Sequence, residues 1–135
     1  MAGYSGTPLV AKLGIKPASR MTLIDAPAAF RKLLEPWPDA AKILGPSATS
    51  LDLAVLFTTS AADLERGFLQ AAQRLLPSGA LWAAWPKKAS GVTTDLGEDR
   101  VRSIGLAAGL VDVKVCAIDE TWSGLKFVVR TRDRA

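Results

Sequence analysis

The sequence predicts one α/β domain over residues 1–135, built in three layers around a mostly parallel sheet that closes with an antiparallel C-terminal hairpin. Two near-continuous apolar runs of strand length, LDLAVLF at 51–57 and ALWAAW at 80–85, have the pattern of strands buried on both faces. The segment between them has a helical period and is long enough for a right-handed crossover between parallel strands. The last two strand-like segments are separated by only a few residues, which allows a hairpin but no crossover.

Thr7 and Pro8 read as the N-cap and first residue of a short helix that runs through Lys12 and stops at Gly14. SRMTLIDAP gives a strand from Arg20 to Asp25, and Pro27 opens a helix with Phe30, Leu33 and Leu34 on one face. In EPWPDAAKILGP, three prolines restrict regular structure to a turn and a short strand near Ala41 to Leu44. After LDLAVLF, Ser60 followed by Asp63 forms a capping-box-like helix start, and Leu64, Phe68, Ala72 and Leu75 fall on one side of the helix. PSG is expected to end that helix before ALWAAW begins. A third helix is expected to start at Asp95, with Glu98 at its third position, Val101, Ile104 and Ala108 on one face and Gly109 as its stop. LVDVKVCAID then alternates, with Val111, Val113, Val115 and Ala117 on one side, and TWSG turns into a closing strand, LKFVVRT. Leu53, Val55, Phe57, Leu81 and Ala83 are the expected core of the central strands.

Composition narrows the functional classes. A chain of this length buries about two thirds of its unfolded surface, so its core needs no disulfide or metal. The longest apolar runs end after seven residues, far short of a membrane span. The N-terminal MAGYSGTPLVAKLGIK has neither a basic start nor a continuous apolar stretch, so no secretory signal is expected. A single cysteine suits a reducing cytoplasm. The absence of histidine removes the Ser-His-Asp and Cys-His nucleophile systems and every histidine metal site. The formal charge of +4 raises a nucleic-acid reading, with excess at Lys126, Arg130, Arg132 and Arg134. No helix carries a basic stripe, however, and basic and aromatic residues are not interleaved, so a solvated strand edge and tail is preferred.

The stretch LDLAVLFTTSAADLERGFLQAAQRLLPSGALWAAWP resembles the central strand, helix, turn and strand of S-adenosylmethionine-dependent methyltransferases, a Rossmann-like fold whose sheet also ends in an antiparallel hairpin. More narrowly, YSGTPLVAKLGIK, WPKKASGVTTDL and GLAAGLVDVKVCAIDETWSGLKF are similar to the bacterial family called domain of unknown function 3052, a similarity that spans nearly the whole chain and implies no activity. The methyltransferase resemblance implies a cofactor cradle with glycines after the first strand, where backbone must approach the ligand closely. This chain has IDAPAAF there, with Pro27 and no glycine. Between the first strand and LDLAVLF there is also too little chain for the two extra strands, one of which usually ends in the acid that holds the ribose. No cofactor is therefore expected, and S-adenosylmethionine should not bind measurably.

Open parallel sheets bind ligands beyond the carboxyl ends of their strands. Those ends deliver Asp25; Thr58, Thr59 and Ser60; Lys87, Lys88, Ser90, Thr93 and Thr94; and Asp119, Glu120 and Trp122 to one rim. Lys87 and Lys88, with the helix starts at Ser60 and Asp95, suit an anion held by charge and backbone N–H donors, or else are solvated loop charges beside ordinary caps. Asp25, Asp119 and Glu120 suit a carboxylate group, or else Asp25 caps a helix and the other two pair with the lysines. Trp122 stacks on a ring or closes the core. Cys116 reads as a small core residue, and the Ser-x-x-Lys spacing of Ser123 and Lys126 is discarded because the two point to opposite faces of a strand. The preferred function is a ligand-binding or regulatory domain for a small anionic or nucleotide-like molecule or a protein partner. The alternatives are an enzyme acting on such a metabolite through the same Lys, Asp and Glu groups, and a nucleic-acid-binding module. As a loop charge, Lys87 should tolerate truncation at a cost below about 1 kcal/mol.

Overall fold

The computed structural model describes residues 7–130. A six-stranded sheet has the order β2-β1-β3-β4-β6-β5, with β1 Arg20–Ile24, β2 Lys42–Ile43, β3 Leu51–Phe57, β4 Leu75–Pro86, β5 Leu110–Ala117 and β6 Trp122–Val129. β1 to β4 run parallel, and β6 inserts antiparallel between β4 and β5. The hairpin was expected at the sheet edge, and β5 is that edge.

Strict alternation in the central strands builds two separate cores. Leu53, Val55 and Phe57 of β3 and Trp82 of β4 face α1, Leu9–Lys12, and a short 3-10 helix, Phe30–Leu34. Ala54, Leu56 and Leu81 face the opposite way, against α2, Ala61–Ala72, and α3, Glu98–Ala107. All five residues expected in the core of the central strands are buried. Trp82 is fully enclosed because its indole N–H donates to the Leu13 carbonyl at 2.9 Å, which ties α1 to the sheet.

Several boundaries differ from the sequence expectation, each for a local reason. The first helix is capped by Pro8, not Thr7, with no side-chain hydrogen bond. The segment after Pro27 forms a 3-10 turn rather than an α-helix. It buries Phe30 and Leu34, while Leu33 is exposed. PSG does not end α2, which is already closed at Gln73; residues 77–79 lie within β4, where the register against β3 shifts between Leu51 and Leu53. Gly79 is required there, since a Cβ would sit 2.7 Å from the Leu51 carbonyl oxygen. α3 is capped by Gly97 two residues later than expected, leaving Asp95 for another task. In β5 a register shift between Asp112 and Lys114 interrupts the alternation, and Val113 and Val115 lie exposed. Asp112 is anchored to Arg102 of α3 at 2.9 Å, and this hydrogen bond holds the carboxyl below its usual range. The terminal Thr131, Arg132 and Arg134, and the Tyr4 motif start, fall outside the described residues. Among the described residues no helix is long and apolar enough to cross a membrane.

Candidate functional site

Beyond the carboxyl ends of β1 and β3 lies a cavity of about 570 Å³. Asp25, Thr58, Thr59 and Trp122 line it together with Asp63, Arg66 and Gln70 of α2. The parallel pairing of Ile24 with Leu56 places Asp25 and Thr58 at neighbouring strand ends. Asp25 leaves its strand at φ 57°, a left-handed conformation that a side-chain-bearing residue seldom adopts. Trp122 packs edge-on against Phe57 with ring centroids 5.0 Å apart, so it serves both the core and the cavity wall. Thr58 is buried, its amide donates to the Ala84 carbonyl at 3.1 Å, and its hydroxyl oxygen has no hydrogen-bond partner among the described residues.

The remaining rim residues lie elsewhere, and most are engaged by the protein itself. Ser60 caps α2 by accepting from the Asp63 amide at 3.2 Å. The Asp95 carboxylate accepts from the Ala61 amide at 2.8 Å, so a donor expected to serve an external anion is taken by the loop's own acid. Thr94 donates to the Thr59 carbonyl at 2.5 Å and accepts from the Leu96 amide, while Ser90 donates to the Lys87 carbonyl at 2.6 Å. Lys88, Thr93 and Glu120 are exposed. Asp25, Asp119 and Glu120 do not assemble into a metal-type cluster, since among the described residues no three such ligands converge. Cys116 is half-buried, and burial raises its thiol above the ordinary value despite nearby Lys12, Lys114 and Lys87.

Lys87 and Asp119 lock the hairpin. The Asp119 carboxylate accepts from the Thr121 and Trp122 amides at 2.8 and 2.7 Å, and the Lys87 ammonium donates to the Asp119 carbonyl at 2.6 Å. Lys87 therefore meets the Asp119 backbone carbonyl and not a carboxylate, the pairing offered as the alternative to a ligand-binding role. Lys87→Ala should cost about 1 to 2 kcal/mol in urea unfolding, more than a free loop charge would. An unchanged midpoint would mean that this hydrogen bond contributes nothing.

Sequence reasoning missed Arg66 and Gln70 and read Asp63 only as a cap. The available signal was the polar spacing of 63, 66 and 70 on the first turns of the helix that follows β3. Arg66 pairs with Asp63 on this face.

No family model matches the chain, and no curated protein does. Solved structures do. A SAM-dependent methyltransferase from Aquifex aeolicus superposes with a TM-score of 0.60 at 14% identity, over 90% of this chain and 88% of that one. The chain has a Rossmann-like methyltransferase fold. Aeropyrum pernix fibrillarin, solved with natively bound S-adenosyl-L-methionine, gives 0.59 at 15% identity, over 93% of this chain and 70% of that one. A Burkholderia thailandensis 1,6-didemethyltoxoflavin-N1-methyltransferase gives 0.58 at 10% identity, over 89% and 76%.

The residues present do not fit the cofactor named for these neighbours. β1 is followed by Asp25, Ala26 and Pro27 and then a 3-10 turn, with neither a glycine cradle nor an α-helix N-terminus to receive a charged group. β2 is two residues long and runs into Leu44 and Gly45, with no acid at its end for a ribose. Methyl transfer therefore has no support in the residues at this site.

Proposed function

We propose that the chain is a ligand-binding domain of methyltransferase fold whose ligand sits in the cavity at the ends of β1 and β3. The observation that carries this reading is Thr58, a residue of the cavity wall whose enclosed hydroxyl has no hydrogen-bond partner among the described residues. A buried hydroxyl left unpaired costs about 1 to 3 kcal/mol, and such a group is retained where something else satisfies it. The lining also indicates the ligand's character. Two carboxylates, Asp25 and Asp63, face one guanidinium, Arg66, which argues for an uncharged or cationic molecule rather than an anion. Trp122, Phe57 and Ile24 offer apolar area to a ring, and Asp25 accepts hydrogen bonds from hydroxyls or amines. A nucleoside-like molecule combines these features. Membership of the domain of unknown function 3052 family belongs to the same proposal and rests on the motifs quoted above.

Thr58→Val tests it, because the two sides of the reading move in opposite directions. Removing the unpaired hydroxyl should raise the melting temperature of the free protein and abolish the stabilisation that millimolar adenosine gives the wild type, with adenosine monophosphate weaker than adenosine throughout. S-adenosylmethionine should show no saturable binding by calorimetry. A wild-type protein indifferent to adenosine, or a Thr58→Val protein that responds equally, would remove the cavity from consideration.

A further inference from the structure

Toward the amino ends of the parallel strands, lysines gather with no ion-pair partner within 4 Å among the described residues. Lys114 of β5 and Lys126 of β6 are direct cross-strand partners, an arrangement in which like charges destabilise the sheet. Lys126 is half-buried, and its ammonium lies 3.7 Å from where a Cβ on Gly14 would be. Burial, with Lys114 and Lys16 close by, lowers its proton affinity below the ordinary lysine value. Among the described residues every ion pair within 4 Å uses arginine, and none involves Lys16, Lys114 or Lys126. Lys16 and Lys126 line a cavity of about 420 Å³ with the hydroxyl residues Ser19 and Ser78. The lining also holds the Asp52 carboxylate, which accepts from the Arg20 amide at 2.8 Å.

We propose that this cavity, with Lys16 and Lys126 in its wall and Lys114 across the strand pair from Lys126, is a binding site for a phosphate group. The argument is one of frustration. Opposed like charges and a partly buried lysine with no ion-pair partner among the described residues each oppose folding, and a sequence keeps such local conflicts where a function uses them. A doubly charged oxyanion relieves the repulsion among the lysines through charge-assisted hydrogen bonds to their ammonium groups, and these three cations outnumber the one Asp52 carboxylate in the lining. The cavity suits a compact group. Its phosphate comes either from a free phosphorylated molecule or from a nucleic-acid backbone. This site is distinct from the Thr58 cavity and does not depend on it.

The test uses the full chain and pyrophosphate at low ionic strength, against chloride matched for ionic strength. Pyrophosphate should raise the melting temperature and bind with an affinity that falls at least fivefold in Lys126→Gln and in Lys114→Gln. Lys32→Gln, which removes an exposed lysine elsewhere on the surface, should bind as the wild type does. Without anion, Lys114→Gln should melt at or above the wild-type temperature, because it relieves the repulsion. A short single-stranded oligonucleotide forms the second arm. Tighter binding than pyrophosphate, with the same dependence on Lys126, assigns the phosphate to a nucleic acid; response to pyrophosphate alone assigns it to a free phosphorylated molecule. Equal effects of pyrophosphate and matched chloride, or binding that survives Lys126→Gln, overturn the site.

Discussion

Gly105→Ala should destabilise the protein by about 2 kcal/mol, within the range for overpacking a filled core, and lower the melting temperature by roughly 5 to 10 °C. Two effects compete at this position. Alanine in the interior of a helix is favoured over glycine by about 1 kcal/mol, so in isolation α3 would gain. The tertiary contact decides the sign, because a Cβ on residue 105 would lie 2.1 Å from the Phe127 ring. Phe127 is fully buried and stands edge-on to Phe68 with centroids 5.0 Å apart, so its ring has no room to retreat. Either the helix lifts from the sheet or the aromatic pair breaks. Calorimetric melting of the single variant, and of Gly105→Ala with Phe127→Leu, checks the cause. The double variant should recover part of the loss, since the two sites share one contact. A Gly105→Ala protein as stable as the wild type would show that α3 does not approach the sheet as closely as described.

Phe57→Ala should cost about 3 to 5 kcal/mol, the range for deleting a fully buried aromatic ring. Phe57 ends β3 at the junction of core and cavity, edge-on to Phe30 at 4.8 Å and to Trp122 at 5.0 Å. Its loss therefore removes dispersion contacts on two sides and leaves the Trp122 ring without backing. The urea midpoint should fall strongly. Phe57→Leu should cost far less while still weakening any ligand that relies on Trp122, because it fills volume without the edge contact. A small effect of Phe57→Ala would mean that the surrounding structure collapses onto the site.

The central strands and their order of appearance were legible in the sequence because burial on both faces leaves a local mark. LDLAVLF and the apolar half of β4 need no partner to be read as buried strands, and Ser60 declares the start of α2 through a cap within its own turn. The hairpin was legible from chain length alone. The helix starts illustrate the limit: Asp95 has the residue type and spacing of an N-cap for α3, yet it caps α2 from 34 residues away. Nothing in the local sequence distinguishes the two roles, because both satisfy the same kind of backbone donor.

By itself, the sequence determined the α/β class, the buried faces of β3 and β4 and the lack of a glycine cradle after β1. These follow from period, side-chain volume and backbone chemistry, which act within a few residues. Tertiary structure alone decided that Asp25, Thr58 and Trp122 share a cavity with Asp63, Arg66 and Gln70, that Lys87 donates to the Asp119 carbonyl, and that Lys114 faces Lys126. Each of these is a pairing across the sheet or between a strand end and a helix. Register and crossover geometry set such pairings, and both arise from the packing of the whole chain rather than from any one segment of it.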